Sequence, residues 1–207
     1  MSSSDRPPES SSRLDRVGHI YGTGFLGGVE WYVGRYGPAA AHAVIARLSP
    51  AARAYVVPNS PNLGILGAKK YPYAIVGELV RAMAAAVRLD EDALIRELST
   101  VGVDATIDTV ARVAVRWIVS PESVVERSPD LWRTFHDCGT LRITWVSERE
   151  FLSEVSNWPH HDLTVCKMCV EGGRRLVERS GVERVEARRE KCQSWGHTSC
   201  VTRVRWA

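Results

Sequence analysis

The sequence predicts an α+β fold, with a helix-rich N-terminal two-thirds packed on a small antiparallel sheet that ends in a cysteine-bearing hairpin. Three observations carry this. Apolar residues recur every three or four positions from Phe25 to about Phe135. After Gly139 the pattern changes to alternation, as in Leu141, Ile143 and Trp145 against Arg142 and Thr144. Cysteines then gather in two pairs near the end, Cys166/Cys169 and Cys192/Cys200. Helices followed by strands, without regular alternation of the two, give the α+β class.

Taken in order, residues 1–15 begin MSSSDRPPESSS, too polar to bury, and are expected to be a disordered tail. Residues 16–207 are expected to form one domain. Thr23–Gly37 reads as a helix weakened by Gly27, Gly28 and Gly34. Pro38–Leu48 reads as a second helix, with proline in its first turn. Pro58–Pro72 is dense in proline, glycine and asparagine and reads as a loop. Tyr73–Leu89 is the clearest helix, since Ile75, Leu79, Met83 and Val87 share a face. A short helix follows over 90–98, and 104–119 forms another, bearing Ile107, Val110, Ala114 and Trp117. Residues 122–139 suggest two short helical pieces. Thr140–Ser147 is a strand, 148–155 a short helix, 162–181 a helix ending at Gly181, and 182–192 and 197–206 two strands.

The totals exclude several classes. Among 207 residues, 27 are basic and 24 acidic, a net charge of +3 with no arginine-rich arm, so nucleic acid is not an expected partner. No apolar h-region opens the chain and no run of eighteen apolar residues occurs, which predicts a cytoplasmic protein without a membrane span. No G-x-S-x-G, Walker or Rossmann glycine pattern is present, so enzyme activity is not expected. Cys138, next to His136 and Asp137, suggests a nucleophile only through sequence adjacency, and adjacent side chains rarely face one another.

The cysteines are the densest chemical signal. Cys166 and Cys169 are three apart on a helix and fall on one side of it. Cys192 and Cys200 flank seven residues that can fold back between two strands. Four thiolates from two elements can close a tetrahedral zinc site, and a metal staple would help a sheet that buries little area. Thiols buried without metal are the plainer alternative. A redox C-x-x-C is a poor fit, because the motif lies inside a helix with no strand immediately before it. His197 could replace one cysteine.

The stretch Cys192-x3-Gly196-His197-x2-Cys200 resembles the end of the 4-vinyl-reductase-type domain, a small-molecule sensor module related to the TRAPP vesicle-tethering subunits. That resemblance implies a zinc site formed by an upstream cysteine, matched by Cys166, the hairpin pair and a glutamate. Arg189 stands at the glutamate's place, so Cys169 is expected as the fourth ligand. The chain is also similar to a stand-alone family abundant in myxobacteria, through Tyr71-Pro72, the stretch Ser120–Leu141 and the terminal V-x-W.

The resemblance further implies a small hydrophobic ligand between helices and sheet, with Trp145 lining the pocket. Trp117, Trp132, Phe135 and Trp158 could add to it, although aromatics at these spacings also simply build a core. Relatives dimerise through N-terminal helices, so a homodimer or a partner protein is expected. The main expectation is therefore a ligand-binding, sensor-like domain with a structural zinc. A TRAPP-like interaction module without ligand is one alternative. The other is a haem-based gas sensor, in which His19, His42 or His136 would be the axial ligand. The Tyr-x-Ser-x-Arg signature that grips the haem propionates in such sensors is absent.

Overall fold

The computed structural model describes residues 17–109 and 120–207; the expected tail over 1–15, Trp117 and most of the helix expected over 104–119 lie outside the described residues. A two-stranded ribbon opens the fold. In it β1 (His19–Tyr21) pairs antiparallel with β2 (Lys70–Pro72), Ile20 opposite Tyr71. Between them α1 (Leu26–Arg47) is broken at Gly37, where φ is +74°, just ahead of Pro38. Proline cannot donate to the preceding turn, and glycine accepts the positive φ, so the two helices expected here meet at that joint. Ser49 then caps α2 (Pro50–Arg53) by accepting from the Ala52 amide.

The apolar stripe read in the sequence forms α3 (Tyr73–Val87), which buries Val76, Leu79, Val80 and Met83. α4 (Glu91–Thr109) is one continuous helix where the sequence suggests an interruption between 98 and 104. Gly102 does not break it, because the helix lies against α1 there: a Cβ on Gly27 of α1 would come within 2.8 Å of Ala105 Cβ. α5 (Pro121–Phe135) begins with a capping box between Ser120 and Ser123 and continues through Pro129, so it is one helix and not two pieces.

The larger sheet has four strands, not three. Its order is β3 (Thr140–Ser147), β4 (Glu150–Ser156), β6 (Cys200–Arg205), β5 (Glu186–Lys191), all antiparallel. The short helix expected over 148–155 is therefore overturned, since this segment is β4. Its apolar anchors, Phe151 and Val155, are four apart, a spacing that puts two residues on one side of either a helix or a strand. Pairing with β3 on one side and β6 on the other decides for the strand. The final helix, α6 (Leu163–Arg179), crosses from β4 to β5 and packs on the sheet through Val177, which meets Phe151, Val185 and Val204 in one buried cluster. On its other flank Arg175 makes a two-pronged bond to Asp104 of α4, at 3.0 and 2.7 Å.

The start of α6 is fixed by one carboxylate. Asp162 accepts from the Val165 amide at 3.1 Å and pairs with Arg81 of α3 at 3.3 Å. Gly77 allows α3 to come this close, since a Cβ there would lie 2.2 Å from Asp162 Oδ1. Removing the cap in Asp162→Ala is expected to lower stability by about 1 kcal/mol, with Asp162→Asn retaining most of it. Urea unfolding of both variants checks this; equal losses would show that the charge, not the cap, matters.

Candidate functional site

A cavity of about 230 Å³ lies between the helices and the inner face of the sheet. Pockets that enclose drug-sized ligands run from about 300 Å³ upward, so the space suits a compact occupant or one that parts the layers slightly. Its walls are mostly apolar, and α5 supplies one of them. Val124, Ser128, Leu131 and Phe135 recur at three- and four-residue steps along that helix, and they line the cavity together with Trp132. Trp132 and Phe135 thus stand where the sequence places them. Phe151 and Ser153 of β4 line the opposite side, at positions the expected helix had misplaced.

Of the polar residues in this lining, His136, Trp158 and Cys169 stand together. His136, the residue after α5, is 8% exposed and stacks on the Trp132 ring with centroids 3.8 Å apart. Its Nδ1 lies 2.8 Å from the Tyr73 hydroxyl, and its Nε2 lies 4.0 Å from Cys169 Sγ. Burial penalises the imidazolium and pulls the pKa of His136 down to about 3, so the ring is neutral at ordinary pH. Trp158 is 2% exposed, and its Nε1–H has no acceptor among the described residues. A buried donor left unmade costs about 1–3 kcal/mol, which an occupant bearing an acceptor would remove. Burial also pushes the Cys169 thiol up to about 12, keeping it protonated.

Cys138 does not meet His136 as a nucleophile would meet its base. Its Sγ sits 3.6 Å from the Tyr73 hydroxyl, and burial raises its pKa, the reverse of activation. Gly18 is required beside it, because a Cβ there would lie 2.4 Å from Cys138 Sγ and 2.6 Å from the Tyr73 ring.

A second group forms where α6 meets the hairpin. His161, Cys166, Cys192 and Cys200 bring their ligand atoms within 4.8 Å of one another. Cys192 Sγ lies 3.7 Å from His161 Nε2 and 3.9 Å from Cys200 Sγ. Cys166 is held as a thiol, first by its bond to Cys200 and then by burial. That same bond, with help from His161 and the Gln193 amide, lowers Cys200 to about 4. Such a donor set can hold a thiophilic ion. The expected four-cysteine set is not what assembles. Cys169 points to the cavity, and His161, which the sequence reading passed over, takes the fourth place. Its signal was its position immediately before the N-cap Asp162, five residues ahead of Cys166. Arg189, at the place of the expected glutamate, sets its Nη1 3.9 Å from Cys166 Sγ and 3.8 Å from Cys192 Sγ, a cation where an anionic ligand was anticipated.

Trp145 does not line the cavity. It is 39% exposed and packs edge-on against Phe151 and Trp206, at 5.9 and 6.0 Å, closing the end of the sheet. Beyond it the turn carries Ser147 and Arg149, with Ser147 Oγ accepting from the Arg149 amide at 3.4 Å.

No family model and no characterised relative matches the sequence. Solved structures do match. An H-NOX protein from S. oneidensis in the Fe(II)NO ligation state superposes with a TM-score of 0.67 at 9% identity, over 91% of this chain and 99% of that one. The Fe(II) unliganded H-NOX protein from K. algicida gives 0.66 at 10% identity, over 91% and 97%. A structure from a study of heme distortion in the H-NOX family gives 0.59 at 13%, over 90% and 95%. At these identities the likeness establishes the fold. It overturns the resemblance to the 4-vinyl-reductase-type and TRAPP domains, and with it the main functional expectation built on that resemblance. It also overturns zinc as the cofactor of the domain, because the structures that share this fold are described by heme iron. The changed ligand set and the cation against it are the physical side of that correction.

A buried neutral imidazole makes stability depend on pH. An unfolded histidine titrates near 6.5, roughly; His136 in the native state titrates at about 3. Between those values the unfolded chain takes up a proton that the native chain refuses, so stability falls as pH falls, by up to ~1.4 kcal/mol per pH unit. The difference in urea-unfolding free energy between wild type and His136→Phe should therefore shrink steadily from pH 6.5 to pH 4. A constant difference would place the imidazole in water.

Proposed function

We propose that this chain is a gas-sensor domain of the H-NOX kind, in which a haem would enter between α5, α6 and the sheet by parting the layers around the cavity of about 230 Å³. The observation that carries the reading is His136, a neutral buried imidazole on the cavity wall with one nitrogen hydrogen-bonded and the other facing inward. A nitrogen anchored on one side and open on the other is the usual setting of an iron-ligating histidine. Among the described residues no other histidine lines this cavity.

The remaining residues fit the group in part of its outline. The His136 Nε2 would take the iron, Trp132 would hold the ring of that histidine in its plane, and the unpartnered Trp158 Nε1–H would meet an acceptor on the occupant. The signature Tyr-x-Ser-x-Arg is absent as written, yet Trp145-Val146-Ser147-Glu148-Arg149 keeps its serine and arginine with tryptophan at the first place. The Arg149 guanidinium has no ion-pair partner among the described residues, but it stands with Trp145 and Trp206 outside the cavity lining. Bound haem would supply an iron with an open position for a diatomic gas. The chain supplies the neutral imidazole and the dry walls.

Adding hemin to the purified full chain tests this. One equivalent is expected to bind with a Soret band of a histidine-ligated haem. His136→Gly is expected to lose that band, and free imidazole should restore it. A folded wild-type protein that takes up no stoichiometric haem, or a His136→Gly variant with an unchanged spectrum, would overturn the reading.

A further inference from the structure

We propose that the end of the molecule formed by the last turn of α1, by α2 and by the loop over residues 54–69 is a docking surface for an anionic lipid bilayer. Val57 and Leu66 would enter the apolar layer, and Arg47, Arg53 and Lys69 would meet the headgroups. None of these residues lines the cavity, so the surface stands or falls independently of haem. The sequence already sets the region apart. The chain has 24 acidic residues in 207, yet none falls between Glu30 and Glu78, a span that holds Arg35, Arg47, Arg53, Lys69 and Lys70. So long a run without acids concentrates positive charge in one part of a nearly neutral protein.

The fold gathers these cations. Arg53 donates to the Ile45 and Ala46 carbonyls near the end of α1, at 3.0 and 2.9 Å, and Arg47 to the Ala43 carbonyl at 2.8 Å. Lys69 lies over the rings of Tyr55 and Tyr71, at 5.0 and 5.3 Å. None of the three has a carboxylate partner among the described residues, and the acids nearby are engaged elsewhere. Glu78 accepts from the Ser49 amide and hydroxyl, and Asp137 pairs with Lys70 at 3.2 Å. Two aliphatic side chains stand out of the same end. Leu66 is 61% exposed and Val57 55%, the highest values among the large apolar side chains of the described residues. Their exposure is built in. Leu63 and Ile65 are buried and anchor the loop, while the Leu66 amide donates to the Tyr71 hydroxyl at 2.9 Å and the Lys69 amide to the Leu66 carbonyl at 3.1 Å. The Val57 amide donates to the Leu63 carbonyl at 2.8 Å, and His42 holds Asn59 of the same loop at 2.7 Å. Aliphatic groups fixed in water forgo transfer free energy that an apolar phase would return. Cations around exposed aliphatic groups suit a surface that rests in a headgroup layer. Nucleic acid offers the same negative charge but nothing for Val57 and Leu66 to enter, so the bilayer is the better fit.

The test is sedimentation of the purified full chain with vesicles of phosphatidylcholine and phosphatidylglycerol in equal parts, against vesicles of phosphatidylcholine alone. Binding is expected to the mixed vesicles only, and it should weaken as salt is raised. Lys69→Gln is expected to lower the affinity about fivefold and to reduce its salt dependence. Leu66→Ser is expected to lower it about tenfold and to leave the salt dependence unchanged. Both side chains are exposed, so the variants should fold as wild type does, which far-UV circular dichroism checks. No binding to the mixed vesicles, equal binding to the neutral ones, or a Leu66→Ser variant that binds as wild type overturns the proposal. Binding to duplex DNA or to an acidic protein without binding to vesicles also overturns it, and assigns the cations to that partner.

Discussion

The contact between Tyr73 and His136, 2.8 Å long and closed to water, is where the halves of this molecule are joined. Tyr73 begins α3 and is continuous with the β1–β2 ribbon. His136 ends α5 and leads directly into the sheet. The backbone repeats the link, since Ile20 of β1 bridges His136 and the Asp137 amide donates to the His19 carbonyl at 3.2 Å. A polar pair this deep persists because each member satisfies the other, and a break would leave two buried groups without partners. The stacked Trp132 and the edge-on Trp158 exclude the water that could stand in for either. Among the described residues, His136 is the one imidazole lining the cavity, and this arrangement holds it there.

Much of the scaffold was legible because single elements carried enough repeats to declare a period. Tyr73–Val87 shows four apolar positions on one helical face, and β5 alternates ahead of the cysteine turn. β4 was not legible, because a seven-residue segment with anchors at 151 and 155 satisfies both periods, and only its two sheet neighbours choose between them. The continuity of α4 past Gly102 was hidden for a related reason. A glycine weakens an isolated helix, while packing against α1 at Gly27 and Gly28 favours small residues on both partners.

The site was half legible, and the errors have a geometric cause. A C-x-x-C spacing on a helix places two thiols on the same side, but three residues at about 100° each leave them roughly 60° apart. On α6 that angle separates two destinations. Cys166 turns toward the hairpin thiols and Cys169 toward His136. The place left empty in the cluster is filled from the loop before the helix by His161, which spacing rules for paired cysteines do not search. Trp132 and Phe135, named in the sequence as aromatics that could join a pocket, both line the cavity. Trp145 shares the strand face of Leu141 and Ile143, but it stands at the far end of β3 beside Trp206, outside the cavity lining.

The helix α6 therefore stands between two chemically distinct centres, and this constrains how either can act. Cys166 and Cys200 belong to the thiol–imidazole group and also line the cavity, while Cys169 touches the cavity histidine one turn further on. The helix is tethered at its start by Asp162 to α3 and along its length by Arg175 to Asp104 of α4. It has little freedom to slide, since sliding would break a cap and a two-pronged ion pair together. Rotation about its own axis would strain the same tethers and draw Cys166 from the hairpin sulfurs, so both centres are held in one arrangement by the same helix.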